Sequence, residues 1–573
     1  MFNKKRVWYG LLCVVLGMLV AACAPATAPA TGSSAAEAPA EAMATDAPAE
    51  EAAPMSSGRT WINVCEEEPV DGGEITLAIA DDSMSSSTWL GRGSTNEFFV
   101  FSQLTDMSIE DAQTIVPDVA ESWDESEDGL VYTYHLRNDV MWHDGVPLTA
   151  DDVKWTIELY SHPDAAVTML AVLPLSGIVG YTEFREGSAD EITGVKVIDD
   201  YTVELTLSGP RSDFFYGMGG MNLWPRHPFE GMSYLDISTS PLVRENAIGS
   251  GPFKLGEFVP DQYYVLDANE DYFKGRPHLD RLIFRIGLTS VAAWLPGLES
   301  GEIQVGNMVN GLDRERAEAN PDLVVVGAPL PGAMSIWGNH KNFEDKRVLQ
   351  AMMYAMDREA ITSGIFGAGQ AFVYDYDNID PDHTWVSPNV PKYRYDPEKA
   401  KELLDEAGWD PNQELVFVTY YQTELDRNVT AAMQQYLAAV GVKINIENMD
   451  GPAWIARVYE NRTFDLAYGC CGVAMPFEYE RYSCTSKLNQ SDYCNAEVDQ
   501  MAADSLVEAD PVKRQALLWE ISEITNDEVL HMPLFQQDRG HAIDKNICNY
   551  QFRQWSNILW PARNPETWFI RPE

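Results

Sequence analysis

Apolar and polar residues alternate from Leu130 to Leu136 (LVYTYHL), the period-two pattern of a half-buried strand, and Asp128-Gly129 supplies the turn that leads into it. Asp144-Gly145 makes a second turn. Thr149, followed by Asp151 and Asp152, reads as the cap and acidic first turn of a helix continuing through Val153, Trp155 and Ile157. The unit predicted is a strand, a turn and a helix. Farther along, Ala400, Leu403, Leu404 and Ala407 fall on one helical stripe whose spacing needs only a core role.

Two N-terminal segments stand outside any core. Val7 to Val20 is an apolar run behind Lys4, Lys5 and Arg6, and the small residues Ala21 and Ala22 close it, as in a secretory signal. The run is shorter than the roughly 20 residues needed to span a bilayer. The arrangement Leu19-Val20-Ala21-Ala22-Cys23 resembles a bacterial lipoprotein signal. That resemblance implies removal of residues 1–22, diacylglycerol on Cys23 and an extracytoplasmic protein held to a membrane, in a periplasm or at the cell surface, by its lipid alone. Residues 23–57 are Ala, Pro, Glu, Thr and Ser with almost no large apolar side chain. Such a stretch buries too little surface to offset the entropy of ordering and reads as a disordered tether.

From Gly58 onward more than one core is expected, since the chain has 573 residues and is 45% hydrophobic. The formal net charge of −48 (40 basic, 88 acidic) disfavours nucleic acid and anionic lipid as partners and suits a soluble surface. No second apolar run approaches spanning length, so any transport role needs partner proteins. Removing Cys13 with the signal and Cys23 to lipid leaves Cys65, Cys470, Cys471, Cys484, Cys494 and Cys548. Outside the cytoplasm an even set points to disulfides, with about 15 pairings open and Cys484 and Cys494 near enough in sequence to staple one loop. No CxxC pair or nearby histidine has metal-ligand spacing, and no metal or cofactor is expected.

Enzyme signatures are missing. The chain has no GxxxxGK[ST], HExxH or GxSxG, and His135 and His143, flanking the hairpin-like segment, read as surface or packed histidines.

The stretch Pro117 to Tyr160 carries a resemblance. Ala120, Ser122, Trp123, Asp128, Gly129, Tyr132, Thr133, His135, Leu136 and Arg137, then His143, Asp144, Gly145, Pro147, Thr149, Ala150, Asp152 and Val153, fit the signature of the family 5 extracellular solute-binding proteins, the dipeptide and oligopeptide receptors of ATP-binding-cassette (ABC) importers. Gly249 to Leu255, Asn269 to Leu279, Gly301 to Ile303, Asn339 with Lys346 to Arg358, and Asp396 to Trp409 resemble further stretches of that family in the same order. The resemblance implies an α/β, two-lobed periplasmic-binding-protein-like fold with a hinge and an extra subdomain in the first lobe. The first lobe is expected over residues 58–315 plus 530–573, with the extra subdomain at about 96–195, and the second lobe over 316–529. It also implies a monomer that encloses a ligand between its lobes and delivers it to permease subunits with their ATPases, with no covalent chemistry.

For the ligand, the resemblance implies peptides, with an oligosaccharide as the alternative. Trp454 falls where peptide binders carry a cleft-lining aromatic, and Trp337 and Asn339 fall beside the cleft. Peptide binders also place an Asp soon after a Gly-Trp to pair with the peptide's amino group. Here that loop runs Gly469-Cys470-Cys471-Gly472-Val473-Ala474, so Cys471 stands near the Trp position and Ala474 near the Asp position, while Glu478 could supply a carboxylate from farther along. A sensory receptor and a secreted hydrolase are the readings from other classes; the hydrolase lacks a visible nucleophile and base.

Overall fold

The computed structural model describes residues 62–572, apart from 80–96, 109–113, 166–173, 213, 215–217, 219–220, 244, 289, 310, 330–333, 368–370, 374–384, 422–423, 471–478, 480–481, 487–488, 509 and 553–561. The chain enters the first lobe through β1 (Glu74–Ala78), whose Ile75 and Leu77 are fully buried. It then builds the extra subdomain, an antiparallel sheet of β2 (Ala120–Glu125), β3 (Val131–Leu136), β4 (Val195–Asp199) and β5 (Thr202–Thr206) in the order β2-β3-β5-β4. In β3 the predicted alternation appears as buried Tyr132, Tyr134 and Leu136 between half-buried Val131, Thr133 and His135. β5 pairs along β3 from Thr202 opposite His135 to Thr206 opposite Val131.

Helix α1 (Ala150–Tyr160) starts where the cap was expected. The Thr149 N–H donates to Asp152 Oδ2 at 2.9 Å. Asp152 also accepts from Trp142 Nε1 at 3.3 Å and from the Arg226 N–H at 2.9 Å, so this buried acid ties hairpin, helix and a distant loop together. His135 meets Asp124 at 2.9 Å on the surface, whereas His143 bridges the Gly249 N–H and the Gly251 carbonyl.

The first-lobe sheet continues with β6 (Phe253–Val259), β7 (Tyr263–Ala268), β8 (Arg281–Arg285), β9 (Val305–Val309) and β10 (Leu323–Pro329). The second lobe comprises β11 (Met334–Gly338), α2 (Pro397–Glu406), β12 (Glu414–Thr419), α3 (Glu424–Ala439), β13 (Lys443–Asn448), α4 (Gly451–Ile455), β14 (Leu466–Cys470), α5 (Ala496–Val507) and α6 (Pro511–Asp527). Ala400, Leu403 and Leu404 are the buried face of α2, and Asp396 caps it by accepting from the Lys399 N–H at 2.9 Å.

One strand belongs to both lobes. The first part of β15 (Met532–Asp544) pairs with β11, Ile336 opposite Met532 and Met334 opposite Phe535, and its last part lies between β9 and β10, with Val305 and Val324 both opposite Ile543. The strand order is β13-β12-β14-β11-β15-β9-β1-β8-β7-β6, with β10 branching from β15. β15 thus pairs with β11 as far as Phe535 and with β10 from Asp538 onward.

Each lobe has its own core. Phe99, Phe284, Tyr264 and Trp568 interlock in the first, and Met352, Phe417, Met433 and Phe535 in the second. Disulfides join Cys65 to Cys548 and Cys484 to Cys494.

Candidate functional site

In the second lobe β12 runs parallel to β13, from Glu414 opposite Lys443 to Thr419 opposite Asn448, and β14 runs parallel to β12. Their carboxyl ends, Thr419, Asn448 and Cys470, therefore share one edge. β11 begins at that edge with Met334 between Cys470 and Phe535, where β15 leaves for the first lobe. Open α/β sheets bind ligands outside the carboxyl ends of their strands, which makes this edge the place to look.

Aromatic side chains crowd it. The buried run Leu415, Phe417 and Val418 of β12 ends in Thr419-Tyr420-Tyr421, and Tyr420 is 37% exposed, the outermost ring of the group. Its centroid lies 4.9 Å from that of Trp454 and 4.3 Å from that of Tyr421, and its hydroxyl donates to the Tyr421 hydroxyl at 3.0 Å. Trp454 is positioned by α4, which begins where Asp450 accepts from the Ala453 N–H at 2.8 Å and Pro452 sets the first turn. Behind Trp454 lie Trp337 at 6.0 Å and Tyr459 at 5.9 Å. Tyr421 packs edge-on against Tyr468, whose hydroxyl donates to Asp426 Oδ1 at 3.5 Å. Burial first, and then the Asp426 charge, hold the Tyr468 phenol well above its ordinary range. Burial also raises the Tyr420 phenol. These hydroxyls therefore remain protonated donors at neutral pH, and the edge offers stacking faces with phenolic hydrogen bonds.

The residues singled out from sequence divide by position. Trp454 stands at the edge with 5% exposure. Trp337, at 2%, packs beneath it in a cluster with Val418, Val458, Phe464 and Ala467. Asn339 is buried with its amide committed, Nδ2 donating to the carbonyls of Arg462 (3.1 Å) and Phe464 (3.2 Å) and Oδ1 accepting from the Lys341 N–H. Trp337 thus supports Trp454 from beneath, whereas Asn339 lies at the far end of β11, its N–H on the Asp465 carbonyl before β14. Gly469 lies on β14 against Trp337, and the Cys470 backbone closes the ladder opposite Met334. Cys23, Cys471, Ala474 and Glu478 lie outside the described residues. Tyr420 and Tyr421 were missed from sequence; paired aromatics directly after the apolar Val416-Phe417-Val418 run were the available signal.

The family model for bacterial extracellular solute-binding proteins, family 5, middle region, matches residues 114–482. The chain belongs to this family. A Brucella ovis protein provisionally named as an ABC transporter peptide-binding protein is 30% identical over 489 residues, covering 80% of this chain and 86% of that one. The oligopeptide-binding protein AppA of Bacillus subtilis is 27% identical over 476 residues, covering 79% and 83%. The structure of Bacillus subtilis AppA with a nonapeptide superposes with a TM-score of 0.71 and 25% identity, over 88% of this chain and all of that chain. Family 5 proteins are extracellular and bind solutes, and these relatives are named as binding proteins, not as enzymes. Among the described residues no helix of this family 5 protein is long and apolar enough to cross a membrane.

Proposed function

We propose that the chain is a lipid-anchored, monomeric receptor that captures peptides between its two lobes and delivers them to the permease of an ABC importer. The observation that carries the reading is the aromatic edge of Tyr420, Tyr421 and Trp454 at the carboxyl ends of β12, β13 and β14, beside the strand shared by both lobes. Such an edge covers apolar side chains while its phenols meet backbone carbonyls. The names of the Brucella ovis and Bacillus subtilis relatives support peptides as the ligand class. Hinge motion would fall between β10 and β11 and within β15 after Phe535, and ligand contacts on both lobes would favour the closed state.

Calorimetric titration of the mature chain with tri- to nonapeptides tests this reading. Saturable binding with a negative heat-capacity change is expected. Failure of every peptide, with binding of oligosaccharides, would replace it. The sugar reading is favoured by one feature, Ala474 near the position where, by the family resemblance, peptide binders carry an Asp. The anchor is tested separately, since Cys23→Ser should release the protein from the membrane fraction.

A further inference from the structure

Ser212, which follows β5 of the extra subdomain, reaches across to the second lobe. Its backbone N–H donates to the Leu506 carbonyl at 2.7 Å, and its hydroxyl donates to the Ser505 carbonyl at 3.4 Å. Both acceptors belong to the last turn of α5, where helix carbonyls have no partner within the helix. The Glu508 N–H satisfies Asp504, the carbonyl before them, so the first-lobe residue completes the cap that α5 itself leaves unfinished.

Each side of this contact is fixed within its own lobe. On the Ser212 side, Phe214 is fully buried with its ring 4.8 Å from that of Tyr132 on β3, and the Arg211 side chain lies over Gly177 with its guanidinium 3.4 Å from Ser176 Oγ. On the other, Val498, Met501 and Ala502 of α5 pack against Leu518 and Ile521 of α6. The ladder of β15 also joins the lobes. Moving the lobes apart would break the Ser212 bonds and return the N–H and both carbonyls to water.

We infer that Ser212 is a closing latch, a main-chain donor from the first lobe that caps the carboxyl end of a second-lobe helix when the lobes meet. A neutral hydrogen bond exchanged for water shifts an equilibrium by about threefold to tenfold, so the latch biases closure without locking it. The inference depends on the two-lobed fold and not on the ligand being a peptide.

The test compares the full mature chain with Ser212→Pro, which lacks the N–H, and Ser212→Ala, which keeps it. Small-angle X-ray scattering without added ligand should give a larger radius of gyration for Ser212→Pro and the unaltered value for Ser212→Ala. A folded Ser212→Pro variant with the unaltered radius overturns the latch. If that variant does not fold, amide exchange at Ser212 in the unaltered chain decides. Exchange at least threefold slower than the intrinsic rate supports the latch, and exchange at the intrinsic rate overturns it.

Discussion

The indole of Trp337 fills the space that a side chain at Gly469 would need. A β-carbon built on Gly469 would stand 2.5 Å from Trp337 Cη2. The strands pair Trp337 with Ala467, so Gly469 is its diagonal neighbour on the same face, and the Trp454 ring centroid lies 6.0 Å from that of Trp337. The glycine sets how deep Trp337 sits and, through it, where Trp454 stands. Gly469→Ala should overpack this contact and lower stability by about 1–3 kcal/mol, measured by urea unfolding.

Tyr420 is the ring most open to a ligand and does little to hold the lobe together. Tyr420→Ala should weaken binding of the best peptide about tenfold, as expected for loss of one stacking aromatic, while leaving the melting temperature within a degree or two. Trp454→Ala, which empties a buried site, should lower both affinity and stability, by about 3–5 kcal/mol in the latter. Calorimetry and thermal melting on the same samples separate the two outcomes.

His143 makes the fold sensitive to acid. Its Nε2 faces the Gly251 carbonyl at 3.1 Å while Nδ1 accepts from the Gly249 N–H at 3.2 Å, an arrangement that requires the neutral ring. Burial, more than any neighbour, pushes its pKa down from 6.5 to about 4. Since the folded value lies below the unfolded one, this group costs nothing above pH 6.5. The unfolded chain takes up the proton first as pH falls, and stability drops between pH 6.5 and about 4 by up to about 3 kcal/mol. His143→Gln should flatten that part of the pH profile of thermal unfolding.

The disulfide Cys65–Cys548 links positions 483 residues apart, and Cys484–Cys494 links positions 10 apart. In the chain-entropy account the longer loop matters more. Replacing Cys65 and Cys548 by serine should lower stability by about 3–5 kcal/mol, and replacing the shorter pair by less, both measured by calorimetric unfolding.

Local chemistry was the legible part of the fold. The alternation through Tyr132 and Tyr134, the start of α1 after Thr149 and the buried stripe of α2 are all set by neighbours within a few residues. The pairing of β10 with β15 was not legible, because it joins residues more than two hundred apart in the chain, which no local pattern carries. The same limit applied at the site. Trp454 could be placed through the family pattern, but whether Trp337 faces ligand or lies beneath another ring depends on the glycine across the ladder. Tyr420 gained its exposure only when β12 ended at the sheet edge.

The central claim is capture of peptides, and mass spectrometry of small molecules released on denaturing the mature chain, purified from a rich lysate, tests it most directly. Release of peptides is the predicted result. Release of oligosaccharides with no peptides would contradict it, and would assign the aromatic edge of Tyr420 and Trp454 to sugar faces.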